Sequence, residues 1–189
     1  RVYAWLATGV ALALVVWLLI AWQALPALGR PNATQLAAAQ RAGADLRAVV
    51  TDVAELYEPL AEAKRMTLKV AAPKAAEING DRGLISQALA NLIDNAIKYT
   101  PEGGTVSVAL KVAGEDAVLE VRDSGPGIPE AERDHVLRRF VRLEASRHEP
   151  GSGLGLSLVA AVARLHDADI ALGDARPGLI ATLRFNLKD

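Results

Sequence analysis

The chain has 189 residues, of which 51% are hydrophobic, and its formal net charge is −1. This near-neutral charge gives no electrostatic reason to expect a nucleic-acid partner. Cysteine is absent, which excludes a disulfide framework, a thiolate metal site and a cysteine nucleophile. The length suffices for one ordinary domain with an appendage.

The first stretch of the chain is strongly apolar. Residues 2–25 (VYAWLATGVALALVVWLLIAWQAL) contain no charged side chain, and about 20 apolar residues are enough for a helix to cross a membrane. Tyr3, Trp5 and Trp22 lie near the two ends, where aromatic rings favour the membrane interface. A cleaved signal peptide would have a shorter apolar core, and a buried helix would have a polar face. We therefore predict one transmembrane helix over residues 1–25.

Positive charge predicts the orientation of this helix. Arg30, Arg41 and Arg47 follow it, whereas only Arg1 precedes it. Because arginine and lysine gather on the cytoplasmic side of a span, the C-terminal part is expected in the cytoplasm. Residues 26–44 begin with a turn-rich exit, PALGRPNAT, and are expected to form a juxtamembrane linker.

The remaining residues, 45–189, alternate between helical and extended patterns. A helical pattern runs from about 35 to 64, interrupted near Gly43, and Asp45 can cap its second part. The elements predicted after it are a strand at 66–70, a helix from Arg82 to Tyr99 capped by Asp81, a hairpin of strands at 105–112 and 117–123, a short helix at 130–137, a helix at 154–166, and strands at 168–172 and 179–187. This order predicts an α+β fold with a mixed, largely antiparallel sheet and helices on one face.

The helix before residue 100 carries a polar stripe in the sequence NLIDNAIKYT. Asn91, Asn95 and Lys98 share one face at 3.6 residues per turn, while their neighbours are mostly apolar. Amide oxygens suit Mg²⁺ that keeps most of its waters on nucleotide phosphates, and an ammonium can meet a phosphate as a point charge. The alternative is a stripe that simply faces water.

A second motif, DSGPGIP, begins at Asp123. Asp123 ends a predicted strand, and Gly125 and Gly127 allow positive φ beside it. Its carboxylate could accept a hydrogen bond from an exocyclic amine while the glycines leave room for a flat base. In isolation, an aspartate that caps its own turn explains the motif better.

A third motif, PGSGLGLSLVA, places Gly151, Gly153 and Gly155 directly before a predicted helix. Exposed N–H groups and the partial positive charge of a helix N-terminus suit phosphate. The Lys-Ser/Thr of a Walker loop and the spacing of dinucleotide folds are both missing. Alone, the run is explained equally well by a flexible hinge.

Taken in order, N-x-x-x-N-x-x-K-Y, D-x-G-x-G, a phenylalanine in a polar segment and G-x-G-x-G resemble one family. They are similar to the ATP-binding catalytic domain of membrane-bound bacterial sensor histidine kinases, of the GHKL (Bergerat) ATPase class, over residues 45–189. The resemblance implies a two-layer sandwich with three helices on one face of the sheet. It also implies Mg²⁺ and ATP, a response regulator partner, a location in the bacterial inner membrane and a homodimer in the full-length protein.

The resemblance implies a role for each matched residue. Asn95 would ligate Mg²⁺, Lys98 and Tyr99 would contact the phosphate and ribose side, and Asp123 would bind the adenine amino group. Residues 130–152 would form a lid, from which Arg142 could approach the γ-phosphate. The implied ATP-binding set is Asn91, Asn95, Lys98, Tyr99, Asp123, Gly125, Gly127, Ile128, Phe140, Ser152, Gly153, Leu154, Gly155, Leu156 and Thr182, and the implied catalytic set is Asn91, Lys98 and Arg142.

Within the class, position 91 favours phosphoryl transfer over hydrolysis. Relatives that hydrolyse ATP, such as gyrase and the mismatch-repair ATPases, have a glutamate four residues before the Mg²⁺-binding asparagine. Asn91 occupies that position, and an amide cannot act as a general base at neutral pH. Asp94 points about 100° away from Asn95 around the helix. Transfer to a nucleophile on another domain is therefore expected.

The phosphoacceptor part of a sensor kinase is not recognisable. His135, His148 and His166 each fit a surface or packing role better than that of a phosphoacceptor. The stretch QLAAAQRAG (35–43) resembles the tail of a dimerisation helix, and WQALPALGR the start of a HAMP linker. Residues omitted from a longer chain, a deletion, or action on a separate partner would each explain the missing phosphoacceptor part. The first explanation is favoured because the stretches on both sides of the gap resemble truncated pieces of the family.

We expect no autophosphorylation by this chain alone. The rival hypothesis is a non-catalytic, membrane-tethered ATP-binding module.

Overall fold

The computed structural model describes residues 43–138 and 154–187. Its helices are α1 (Leu46–Ala63), α2 (Arg82–Tyr99), α3 (Glu130–Val136) and α4 (Gly155–Leu165). Its strands are β1 (Gly43–Asp45), β2 (Thr67–Ala71), β3 (Glu77–Asn79), β4 (Thr105–Ala113), β5 (Asp116–Asp123), β6 (Asp169–Asp174) and β7 (Leu179–Asn186). The predicted membrane span lies outside the described residues, and no helix within them combines the length and apolar character that a membrane crossing needs.

Five strands form the main sheet, in the order β2-β4-β5-β7-β6. Strand β2 runs parallel to β4, and every other neighbouring pair in this sheet is antiparallel. Strands β1 and β3 form a separate antiparallel pair. The prediction of a mixed, largely antiparallel sheet is confirmed.

One face of the main sheet is buried beneath the helices. Alternate residues of the central strands belong to a single core, namely Val106, Val108, Leu110, Ala117, Leu119, Val121, Ala181, Leu183 and Phe185. Buried residues of α1, α2 and α4 join the same core. Side chains along a strand alternate between the two faces of a sheet, so these core residues all lie on one face. Helices α1, α2 and α4 therefore cover the same face of the main sheet. The fold is the expected two-layer α+β arrangement.

Helix α2 has the predicted bounds. The Asp81 carboxylate accepts the Leu84 N–H at 3.0 Å and caps its start, which satisfies one of the N–H groups left free at a helix N-terminus. Apolar residues at helical spacing, among them Ile85, Leu89 and Ile93, are fully buried. Local capping and periodicity are thus sufficient to explain this helix.

The start of α1 also agrees with the prediction, because the Asp45 carboxylate accepts the Arg47 N–H at 2.9 Å. The next strand begins one residue later than predicted, at Thr67. Met66 is still tied to the end of α1 by a hydrogen bond from its N–H to the Ala61 carbonyl, 2.8 Å long, and it is buried. The turn that ends α1 therefore includes Met66, which the alternating sequence pattern places in the strand.

Strands β1 and β3 were not predicted. Each has three residues, too few to show a period of two. They pair with each other, with Ala44 opposite Ile78, and both of these side chains are buried. This pairing depends on bringing together two segments that are distant in the sequence.

Candidate nucleotide-binding site

The polar stripe of α2 lies at the edge of the core. Asn91 and Asn95 are half-buried, whereas their neighbours Leu92, Ile93 and Ala96 are buried. The Asn91 side-chain nitrogen donates to the Gln87 carbonyl at 2.8 Å, which orients the amide. Its oxygen is then the atom available to a cation or another donor.

The first residue of α4 packs directly on this stripe. A Cβ atom placed on Gly155 would lie 3.3 Å from Asn91 Oδ1 and 3.3 Å from Asn95 Nδ2. Among the described residues no side-chain hydrogen bond caps α4, whose N-cap is Leu154. A helix N-terminus with its partial positive charge therefore stands beside two amides, an arrangement that suits a phosphate with its metal ion.

Asp123 is held in a fixed orientation at the end of β5. Its Oδ1 accepts the Gly125 N–H at 2.8 Å and the Leu179 N–H at 3.2 Å. Burial raises the pKa of this carboxyl above its ordinary value, and the two N–H groups lower it again in part. A carboxylate has about four lone-pair sites, so Asp123 retains capacity for a further donor.

Two glycines allow the backbone segments around Asp123 to approach each other closely. Gly127 has φ 73°, and a Cβ atom there would lie 2.9 Å from the Gly178 carbonyl oxygen. Gly178 has φ 102°, and its Cβ atom would lie 1.9 Å from the Asp123 carbonyl oxygen, a distance no side chain tolerates. Sequence reasoning missed Gly178. The Pro-Gly pair before a predicted strand was the available signal, but it indicated only a turn.

The end of α2 adjoins this loop. A Cβ atom on Gly125 would lie 3.0 Å from the Tyr99 carbonyl oxygen and 3.0 Å from Asp123 Oδ1. The Lys98 ammonium lies 4.9 Å from the centre of the Tyr99 ring, within cation–π range. The three sequence motifs thus meet along the C-terminal half of one helix.

Three further residues of the expected set have identifiable contacts. The Ile128 carbonyl accepts the Arg133 Nε–H at 3.0 Å, which ties the loop to α3. The Leu154 carbonyl accepts the Ser157 hydroxyl at 2.9 Å, and Leu156 packs against the core. These contacts shape the backbone of the two glycine motifs.

Thr182 does not join the site, which corrects the expectation for this residue. Its neighbours Ala181 and Leu183 face the helices and are buried, so Thr182 lies on the opposite face of β7. Its hydroxyl donates to the Ala171 carbonyl at 3.3 Å. Asp123 lies two residues from Val121, on the core face, and the sheet therefore separates it from Thr182. Leu179 and Ala181 are the β7 residues that lie on the face of Asp123 at this end of the sheet.

Four residues of the expected set lie outside the described residues, and their roles stay predictions: Phe140, Arg142, Ser152 and Gly153.

His166 has a packing role, as expected. Its Nε2 accepts the Asp81 N–H at 2.9 Å and its Nδ1 donates to the Val162 carbonyl at 2.8 Å.

The sheet is covered by three long helices, and the three sequence motifs meet beside it. This combination defines a class of protein, which comparison with known proteins identifies. Residues 80–189 match the family model described as "Histidine kinase-, DNA gyrase B-, and HSP90-like ATPase". The chain belongs to this ATPase family.

Similar proteins are sensor histidine kinases, and the expected resemblance is confirmed. The sensor protein CreC of Escherichia coli (strain K12) is 36% identical over 143 residues, which cover 71% of this chain and 30% of CreC. The structure of the mycobacterial sensor histidine kinase MprB is 29% identical, has a TM-score of 0.67, and is matched over 77% of this chain and 97% of that chain. Full-length ShkA in complex with AMPPNP is 29% identical with a TM-score of 0.65, over 77% of this chain and 30% of ShkA. The chain thus spans less than a third of CreC.

Proposed function

We propose that residues 45–189 are the catalytic domain of a membrane-bound bacterial sensor histidine kinase. The domain binds Mg·ATP, transfers the γ-phosphoryl group to a histidine on a dimerisation domain, and so supplies phosphate to a response regulator. The contact of Gly155 with Asn91 and Asn95 carries this proposal. It joins the glycine motif and the asparagine motif, which are distant in sequence, into one site.

Each described residue has a role that fits its surroundings. Asn95, with Asn91 beside it, offers amide oxygens to Mg²⁺, which prefers oxygen ligands and retains waters. The N-terminus of α4 and the Lys98 ammonium meet the phosphates. Asp123 accepts a hydrogen bond from the adenine amino group, and Gly125 and Gly127 leave room for the base. The AMPPNP bound to the related ShkA supports this class of ligand.

The site is built for transfer and not for hydrolysis. The Asn91 amide donates to the Gln87 carbonyl and cannot accept a proton from water at neutral pH. Asp94 is exposed and lies around the helix from Asn95. Catalysis then consists of positioning and charge stabilisation, to which Lys98 and Arg142 contribute.

We also propose that residues 1–25 form a single transmembrane helix and residues 26–44 a linker, which leaves the catalytic domain in the cytoplasm. The charge-free run and the arginines that follow it support this. In bacterial spheroplasts, an external protease should leave residues 45–189 intact. Cleavage within the domain before lysis would refute the orientation.

Calorimetry with AMPPNP and Mg²⁺ tests the binding step. Asn95→Ala and Asp123→Ala should each lower the affinity at least tenfold, since each removes a group assigned to the ligand, and every 1.4 kcal/mol corresponds to a factor of ten. Thr182→Ala is the matched control because Thr182 lies on the opposite face of the sheet, and it should bind as the parent chain does.

Labelled ATP tests the transfer step. With a separately supplied dimerisation domain, label should appear on a histidine of that domain and be lost with Asn95→Ala. Nucleotide binding without any transfer would favour the non-catalytic ATP-binding module. Absence of nucleotide binding in a folded parent chain would contradict both the kinase hypothesis and the hypothesis of a non-catalytic ATP-binding module.

A further inference from the structure

Lys64 is the C-cap residue directly after α1, and its side chain reaches the C-terminal end of α2. Its ammonium donates to the carbonyls of Ile97 at 2.7 Å, Lys98 at 2.9 Å and Thr100 at 2.7 Å. These three bonds use the complete donor capacity of a lysine. Carbonyls in the last turn of a helix lack intrahelical partners, and a cation there also meets the negative end of the helix dipole.

The backbone of Lys64 is fixed on both sides. Its N–H donates to the Ala61 carbonyl at 3.1 Å, and its carbonyl accepts the Gly103 N–H at 3.3 Å. The nearby Thr67 N–H donates to the Gly104 carbonyl at 3.0 Å. The corner between α1 and β2 is therefore joined to the segment after α2 by backbone and side-chain bonds together.

The segment that Lys64 holds supports the loop after β5. The Tyr99 carbonyl oxygen and the Thr100 hydroxyl lie 3.0 and 3.3 Å from the position of a Cβ atom on Gly125. The Thr105 N–H donates to the Ser124 hydroxyl at 2.9 Å, and the Ser124 N–H donates to the Thr105 carbonyl at 3.0 Å. A displacement at the end of α2 would therefore reach Gly125, whose N–H orients Asp123.

We propose that Lys64 is a positioning residue of the nucleotide site. It fixes the last turn of α2, with Lys98 and Tyr99, against the loop that orients Asp123, and it makes no contact with nucleotide itself. This inference rests on the proposed ATP site for its functional part. Its structural part, the order of the last turn of α2 and of the Asp123 loop, does not depend on any ligand.

Lys64→Met in the full chain is the test, because methionine keeps the length and apolar stem of lysine but donates no hydrogen bond. AMPPNP affinity should fall about tenfold at a temperature where the variant is folded, as expected for a group that acts through geometry. In the ligand-free chain, hydrogen exchange of the peptides covering 97–104 and 123–127 should accelerate. Lys64→Arg, which keeps the charge, should recover part of both effects.

Val49→Ala is the matched control. Val49 lies on the buried face of the same helix, so the substitution destabilises the domain without touching the end of α2. It should leave AMPPNP affinity and the exchange of both peptides near parent values. Parent-like binding and exchange in Lys64→Met, or equal effects in Val49→Ala, would overturn the proposal.

The two proposals fail in different ways. If the parent chain does not bind AMPPNP, the proposed function fails, and the ligand-free exchange still decides whether Lys64 orders the Asp123 loop. If the parent binds and Lys64→Met binds equally well with unchanged exchange, only the role of Lys64 is lost.

Discussion

At the scale of single residues, Gly155 shows how a position without a side chain can serve a site. Its backbone lies against Asn91 and Asn95, and a Cβ atom there would come within 3.3 Å of both amides. A methyl group would have to displace these side chains by a few tenths of an ångström. It would therefore disturb the proposed metal and phosphate ligands while leaving the core untouched.

Gly155→Ala should separate binding from stability. The free energy of unfolding should stay equal or rise, since alanine favours helix more than glycine by up to about 1 kcal/mol, whereas AMPPNP affinity should fall about tenfold. Chemical denaturation and calorimetry measure the two quantities. Gly173→Ala is the control, because its Cβ atom would make only ordinary contacts of 3.9 and 4.0 Å. Unchanged affinity in Gly155→Ala would contradict a ligand at this helix terminus.

Asp123→Asn should also divide stability from binding. Burial raises the pKa of the carboxyl above 3.8, so the folded state holds the proton more tightly than the unfolded state. The contribution of this group is complete below the unfolded pKa and is lost as pH rises through the folded pKa. Asparagine removes that loss and can still accept the Gly125 and Leu179 N–H groups. Its NH₂ group, however, would face the adenine amine.

We therefore expect Asp123→Asn to raise the urea midpoint at pH 7, with a gain that shrinks as the pH falls toward 3.8, and to lose ATP affinity. Asp45→Asn is the comparison, since the Asp45 carboxylate caps α1 in the described part of the chain. A lower urea midpoint at pH 7 for Asp123→Asn would contradict the prediction, because it would show that burial does not control the pKa of this carboxyl.

At the scale of elements, α2 is held at both ends by side chains from other parts of the fold. His166, just after α4, accepts the Asp81 N–H at its start, and Lys64, just after α1, binds the carbonyls at its end. Helices α4 and α2 are thereby connected at the opposite end from the contact between Gly155 and Asn91. This arrangement sets the angle at which the glycine motif meets the asparagine motif.

His166→Phe tests this connection. Phenylalanine fills similar space but leaves the Asp81 N–H without its acceptor, which should lower the free energy of unfolding by about 1–3 kcal/mol. Urea denaturation measures the loss. His135→Phe is the control, because His135 is exposed on α3 and the hydrogen-bond partner of its imidazole in the described part of the chain is the nearby Glu132. This substitution should change stability by less than about 0.5 kcal/mol. Equal losses would show that the His166 bond contributes nothing specific.

At the scale of the whole molecule, the domain brings together the groups proposed to bind and orient a nucleotide, and its described residues include no cluster of acidic or histidine side chains suited to a metal. In the proposed reaction, a second domain has to supply the histidine that receives the γ-phosphoryl group.

The full chain alone, given labelled Mg·ATP, should therefore stay unlabelled and release phosphate no faster than Asn95→Ala. The amide at position 91 cannot act as a general base at neutral pH, and none of the three histidines resembles a phosphoacceptor in its sequence context. Autoradiography and a phosphate assay measure both outcomes. Label on the isolated chain, removed by Asn95→Ala, would show that the acceptor lies within these 189 residues.

The sequence by itself determined the elements and motifs that depend on neighbours along the chain. Helix α2 has its predicted ends because capping by Asp81 and apolar periodicity act over a few residues. The β4–β5 hairpin follows from two alternating runs and a short turn. The alternation of Ala181, Leu183 and Phe185 likewise indicates that Thr182 lies on the opposite face of β7.

Only the tertiary structure decided which distant groups meet. The bond between the Leu179 N–H and Asp123 spans 56 residues, and those from Lys64 to the end of α2 span 33 to 36. No local pattern reports such contacts, since they depend on strand register and on how the helices pack against one sheet face. The same is true of Gly178, whose missing side chain matters only because β5 ends beside the start of β7. Local patterns thus predicted the motifs of the proposed nucleotide site, and packing decided which of them meet.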